Sequence, residues 1–195
     1  MKYAYLVHHL LEHSAERLPD KEFIVCGDRR LTYAELNEKA DRLAAGLIEL
    51  GVKRQDRVAI FLDNSAESVI ALFGILKAGA IFIMLSATMK AKKLNYILNN
   101  SGARILITQP QKARVVQEAI KNAVELNHII WCDSHQPINP STNQPMHISW
   151  NDFISIPHAL CPVHRAHFLL SGIRHLQAPL FIGTHRGYDQ QDRSG

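Results

Sequence analysis

The residues of this chain with chemical reach are few and scattered. His9 and His13 stand four apart, a spacing that brings two imidazoles to one helix face where a metal ion takes them as ligands. With His8 beside them they are read as a partly exposed helix face. His164, His167 and His175 follow no ligand spacing. Asp63-Asn64-Ser65 comes directly after an apolar run of strand type, the position at which α/β sheets bind ligands. Its first reading is nevertheless a helix cap. Arg174 and His175 have the charge to meet a phosphate, but Leu176, Leu180, Phe181 and Ile182 around them offer nothing to an anion. Gly51, Gly74 and Gly79 fall at helix ends or packing positions rather than in a phosphate-cradling loop. No catalytic residue and no metal ligand is assigned.

The elements that must position these groups are written more clearly. Residues 3–18 have helical periodicity, with Tyr5, Leu6, His9, Leu10 and His13 near one face. Phe23–Cys26 and Arg30–Thr32 read as short strands around a Gly27-Asp28 turn. Thr32 with Glu35 is a capping box, in which two side chains reciprocally satisfy free backbone amides. Leu36, Ala40, Leu43, Ala44, Leu47 and Leu50 follow at helical spacing, and Gly51 ends the helix. Val58–Leu62 and Ile81–Leu85 are continuous apolar runs, the mark of strands buried on both faces. A helix capped by Asn64 or Ser65 separates them. A helix over 90–100, a strand over Arg104–Thr108, a helix from Pro110 to about Ala123 and a strand over His128–Cys132 complete the pattern. Alternation of this kind predicts an α/β fold, a mostly parallel sheet with helices on both faces.

From Asp133 to His147 prolines and polar residues predict a surface loop, and Trp150–Phe153 a short helical turn. Beyond Cys161 periodicity is lost. The expected division is an α/β N-terminal subdomain over 1–132, a loop-rich connector over 133–162, and an irregular tail over 163–195 that is disordered or read in a shifted frame.

Composition narrows the classes. The chain of 195 residues is 47% hydrophobic and 21% charged, with a formal charge of +4. Its tightest basic group, Lys90, Lys92 and Lys93, is broken by apolar residues, so no nucleic-acid surface is expected. No run is long and apolar enough for a membrane span, and the N-terminus is a poor signal peptide. Cys26, Cys132 and Cys161 give neither a disulfide framework nor a zinc spacing, which makes a reducing cytoplasm the expected location.

Three runs carry a resemblance. These are Leu31-Thr32-Tyr33-Ala34-Glu35-Leu36-Asn37 with Ala40–Leu47 and Asp56–Ile60, then Asn64-Ser65 with Ala71–Ala80, then Tyr96–Arg104. Together they resemble the N-terminal region of the adenylate-forming superfamily, most of all a free-standing, AMP-forming acyl-CoA ligase. The chain departs from it at Ile83–Thr88, where members usually place prolines. Nearly every matched residue is structural, and a fold does not fix an activity.

The resemblance implies a carboxylic acid substrate attacking the α-phosphate of magnesium ATP, then transfer of the acyl group to the thiol of coenzyme A. It also implies a phosphate-binding loop rich in glycine, hydroxyls and lysine, whose donors act by electrostatic positioning. Ser171, Gly172 and Thr184 stand where the flanks of that loop belong, as cofactor-binding remnants. Between them, Ile173–Gly183 holds no lysine, serine or threonine. The expectation is therefore the N-terminal fragment of an acid–thiol ligase, inactive alone and binding no cofactor. It would expose apolar faces that favour self-association. A non-catalytic interaction module or a degraded remnant of such a ligase is the alternative, and a small nucleotide-binding protein a weaker third.

Overall fold

The structure, a computed structural model, describes residues 6–132 and 145–154. Helix α1 (Val7–Arg17) leads into a hairpin of β1 (Glu22–Cys26) and β2 (Arg29–Thr32), which pair antiparallel as a sheet of their own. Helix α2 (Tyr33–Glu49) starts on the capping box expected of Thr32 and Glu35. The Thr32 amide donates to Glu35 Oε2 at 2.8 Å, and the Glu35 amide to Thr32 Oγ1 at 3.2 Å.

Strand β3 (Arg57–Phe61) follows, then α3 (Ala66–Lys77), β4 (Ile81–Met84), α4 (Ala91–Ser101) and β5 (Ala103–Thr108). Between β5 and β6 (His128–Trp131), one continuous helix was expected from Pro110 to Ala123. Instead, 3₁₀ turns at Pro110–Lys112 and Ile120–Asn122 bracket a short α5 (Ala113–Ala119). Strand β7 (Met146–Ser149) and helix α6 (Trp150–Ile154) close the described chain. The stretch read as loop through His147 thus contributes an edge strand.

The main sheet has the order β4-β3-β5-β6-β7, and every pair in it is parallel. Its faces carry two cores. Val58, Ile60, Ile105, Ile107 and Ile130 point toward α1, α2, α3 and α6. Ala59, Phe61, Leu106, Ile129 and Trp131 point toward α4 and α5. Alternate residues of β3 and β5 are buried on opposite sides, which is why these strands read as unbroken apolar runs.

Close packing on the first face rests on Gly74. A Cβ built there would lie 2.7 Å from Leu43 Cδ2, so α2 and α3 approach as closely as they do only because position 74 has no side chain. On the other face α4 ends on Gly102 in the left-handed conformation, φ 60°. The Arg57 guanidinium donates to the Ser101 and Gly102 carbonyls at 2.7 and 3.0 Å and supplies positive charge at that helix end.

One expectation is corrected. Ile81–Leu85 is not a strand buried on both faces: β4 is the outermost strand, with Ile81 48% and Met84 50% exposed. On helix α1 the face with His9 and His13 is partly exposed, as read, and Leu6 and Leu10 beside it are exposed. The helix turns Leu11 inward, with Glu12 reaching Lys77. The inward surface of α1 is partly charged, so the most apolar stripe is not the buried one.

Candidate functional site

The chain enters the main sheet at β3, passes through α3 to β4 on one side, and returns through α4 to β5 on the other. The direction of winding reverses at the β3/β5 boundary. In doubly wound sheets the crevice at the carboxyl ends of the two strands flanking such a reversal is the usual ligand position. Residues just beyond β3, β4 and β5 therefore form the candidate site.

Asp63, Gln109 and Lys112 meet there. The Asp63 amide donates to Gln109 Oε1 at 3.2 Å, and Gln109 Nε2 returns a hydrogen bond to Asp63 Oδ2 at 2.5 Å. Lys112 Nζ donates to Asp63 Oδ1 at 2.8 Å and to the Ala87 carbonyl at 2.9 Å. The same ammonium lies 5.1 Å from the centre of the Phe61 ring. The hydrogen bonds from Lys112 and Gln109 hold the Asp63 carboxyl below the usual carboxylate range. Beneath this group, Thr108 Oγ1 donates to the Phe61 carbonyl at 3.0 Å and ties β5 to β3.

Chemically this is a clasp. One ammonium bridges a carboxylate and a carbonyl from two other loops, so its charge is already neutralised. The side chain of Lys112 is 10% exposed, whereas that of Asp63 is 56% exposed. An incoming phosphate would meet a carboxylate before it met the lysine. The group does not fit the triphosphate of ATP.

The rest of the Asp63-Asn64-Ser65 run behaves as the cap it was read to be. Ser65 and Ser68 exchange hydrogen bonds at the start of α3. On α1, His9-Leu10-Leu11-Glu12-His13 spells a His-x-x-Glu-His spacing that some zinc enzymes use, a signal available in the sequence. The structure does not use it so: Glu12 Oε1 lies 3.3 Å from Lys77 Nζ, and the His9 and His13 rings stack with centroids 6.4 Å apart. Among the described residues no group of three or more potential ligands is placed to hold a metal. Ser171, Gly172 and Thr184, together with Arg174, His175 and Cys161, lie outside the described residues. The clasp itself was not legible, since its members are 46 and 49 positions apart.

Comparison with known proteins fits the fold. The model of a family described as "AMP-binding enzyme" matches residues 11–157. A medium/long-chain-fatty-acid–CoA/3-oxocholest-4-en-26-oate–CoA ligase of Mycobacterium marinum is 39% identical over 62% of this chain and 22% of its own. Tyrocidine synthase 1 of Brevibacillus parabrevis is 31% identical over 97% of this chain and 17% of its own. The crystal structure of the anthranilate CoA ligase AuaEII with anthranoyl-AMP superposes with a TM-score of 0.69 at 27% identity, over 79% of this chain and 28% of that one. The chain thus spans about a fifth of the length of these two curated relatives. Its five-stranded parallel sheet, flanked by helices, corresponds to the N-terminal part of adenylate-forming enzymes. With most of its length matched by one family model, the chain belongs to the AMP-binding enzyme family, whose matched members here are acyl-CoA ligases and synthetases.

Proposed function

We propose that this chain is the N-terminal, sheet-forming part of an AMP-forming acid–thiol ligase and is catalytically silent by itself. The intact ligase would activate a carboxylic acid with ATP and magnesium and pass the acyl group to coenzyme A. The observation that supports silence is the closed clasp. Where the sheet reverses its winding, Lys112 is spent on Asp63 and the Ala87 carbonyl. The stretch Ile173–Gly183 adds no lysine and no hydroxyl to replace it. Loss of one preorganised donor costs roughly 100- to 1,000-fold in rate, so several absent together place adenylation below detection.

The test is ATP–pyrophosphate exchange by the full chain with a panel of fatty and aromatic acids, paired with thermal melting in magnesium ATP. The expected results are no exchange above the blank and no shift of the melt. Exchange that depends on one acid would overturn the reading. A nucleotide binder would instead be stabilised by about 2.7 kcal/mol at a hundredfold excess over its dissociation constant.

The second reading, a non-catalytic interaction module, is favoured by α3. Val69, Leu72, Phe73 and Leu76 remain only half-buried, although Val69, Leu72 and Phe73 also pack against the core. Self-association through such faces belongs to the first reading, in which a fragment leaves apolar faces uncovered.

A further inference from the structure

We propose that β7 and α6 form an acid-released margin of the main sheet, with His147 as the group whose protonation frees them. The bond that carries this runs between neighbouring strands. The indole N–H of Trp131, on β6, donates to Nδ1 of His147, on β7, at 2.7 Å, and the two rings stack 8° from parallel. An indole nitrogen only donates, and a protonated imidazole donates from both of its nitrogens. A proton taken up by His147 therefore sets two N–H donors against each other at hydrogen-bonding distance. Its Nε2, which bears the proton of the neutral ring, is buried with no partner among the described residues, so the new charge finds no acceptor there.

The surroundings do not compensate that charge. His147 shares with Trp131 the sheet face covered by α4 and α5. The ionisable residues of those helices, Lys92, Lys93, Tyr96, Arg114 and Glu118, are exposed, as is Asp152 on α6. The histidine of β6, His128, falls on the opposite face by alternation and has Arg104 acting on it instead. Burial alone pushes the pKa of His147 below its ordinary value, with no described charge contributing.

What His147 holds is a part that can leave. Strand β7 is four residues long and, among the described strands, pairs with β6 alone. Helix α6 is five residues long; it seats Trp150 in the first core, and its Ile154 carbonyl accepts from the Arg42 guanidinium of α2. Detaching Met146–Ile154 leaves the order β4-β3-β5-β6 paired as it is. The seated form resists protonation, whereas in the released form His147 titrates near its ordinary value of about 6.5. The seat is therefore firm above that value, and below it each pH unit favours release by up to about tenfold, until the seated form takes the proton as well. Because the chain continues from Ile154, this switch acts at the joint between the sheet and the residues that follow.

Hydrogen exchange of the full chain, read by mass spectrometry above and below about pH 6.5, tests this. Rates are expressed as protection factors, so that the intrinsic pH dependence of exchange cancels. The expected result is that Met146–Ile154 lose protection by up to about tenfold per pH unit below that value, while β3 and β5 keep theirs. His147→Asn places an amide oxygen where Nδ1 stands; it accepts from Trp131 and takes no proton, so the loss should disappear. His8→Gln, on α1, removes a different histidine and should leave the loss unchanged. Three outcomes overturn the proposal. The first is protection of Met146–Ile154 that stays constant as pH falls through about 6.5. The second is a loss that persists in His147→Asn. The third is a loss shared at the same pH by β3 and β5, which would be acid unfolding of the whole sheet. The first and third are read on the unaltered chain, so the proposal is decided even where His147→Asn does not fold. None of them depends on whether pyrophosphate exchange is seen.

Discussion

The indole N–H of Trp131 donates to Nδ1 of His147 at 2.7 Å, binding β6 to the last strand of the sheet. The two rings are nearly parallel, 8° apart, with centroids separated by 5.8 Å. Accepting through Nδ1 requires a neutral imidazole whose proton is on Nε2, and that atom is buried without a partner among the described residues. Burial pushes the pKa of His147 below its ordinary value. It does the same to His128, where Arg104 adds to the effect, and to His8, where Glu12 opposes it.

All three histidines have folded-state pKa values depressed below about 6.5, so the unfolded chain binds more protons as pH falls through that value. Their contribution to stability is present above it and is lost as pH falls through the folded values. Thermal melts should therefore begin to drop as pH falls below about 6.5, ahead of the loss due to carboxylates. In His147→Gln the amide oxygen still accepts from Trp131 and nothing titrates, so part of that drop should vanish. An unchanged profile would show that His147 protonates as easily folded as unfolded.

Gly74→Ala tests the closest approach of α2 and α3. The added methyl meets Leu43 Cδ2 at 2.7 Å and its Cβ and Cγ at 3.0 Å, in the last turn of α3, so the base of the Leu43 side chain must shift as well as its tip. Overpacking of this kind costs about 1–3 kcal/mol, against a helix-propensity gain of up to about 1 kcal/mol. Urea unfolding should show net destabilisation. Combining it with Leu43→Ala, which removes the clashing atoms, should make the two substitutions non-additive.

The clasp at the carboxyl edge makes a different prediction. Lys112→Met keeps the stem over Phe61 but removes the hydrogen bonds to Asp63 and Ala87. Because Asp63 is over half exposed and its charge is screened by water, the global loss should be small. Hydrogen exchange should nonetheless quicken in the loops after β3, β4 and β5 together. Quickening in one loop alone would mean that Lys112 does not join them.

What could be read in the sequence follows a physical boundary. The capping box of Thr32 and Glu35, the Ser65 cap and the buried face of α2 are local, fixed by residues within a few positions of each other. The exposure of β4 was not legible. Its run Ile81–Leu85 is as continuously apolar as Val58–Leu62, and only the order of strands, set by two crossovers, puts one in the middle and the other at the edge. The four residues of β7 are too few to show a period. The inward face of α1 was not assigned from the sequence, because its partner is a buried ion cluster, which a rule based on apolar stripes cannot see.

That cluster supports the last prediction. Lys77, 2% exposed at its side chain, reaches Asp41 Oδ1 at 2.6 Å, Asn37 Oδ1 at 2.8 Å and Glu12 Oε1 at 3.3 Å. It thereby joins α3 to both α2 and α1. Asp41 is 6% exposed at its side chain and also accepts from Asn37 Nδ2 at 3.3 Å. Lys77→Met would leave the Asp41 carboxylate buried without its cation, a loss of about 3–5 kcal/mol. Replacing both partners, Lys77→Met with Asp41→Leu, removes the stranded charge along with the pair and should recover most of that loss. Glu12 is 25% exposed at its side chain and can turn toward water, so its release should matter less to global stability. It should still free α1, seen as faster exchange of the Val7–Arg17 amides in the double variant even where the urea midpoint is restored. If the double variant is as unstable as the single one, the cluster is held by packing around Lys77 rather than by compensation of its charge.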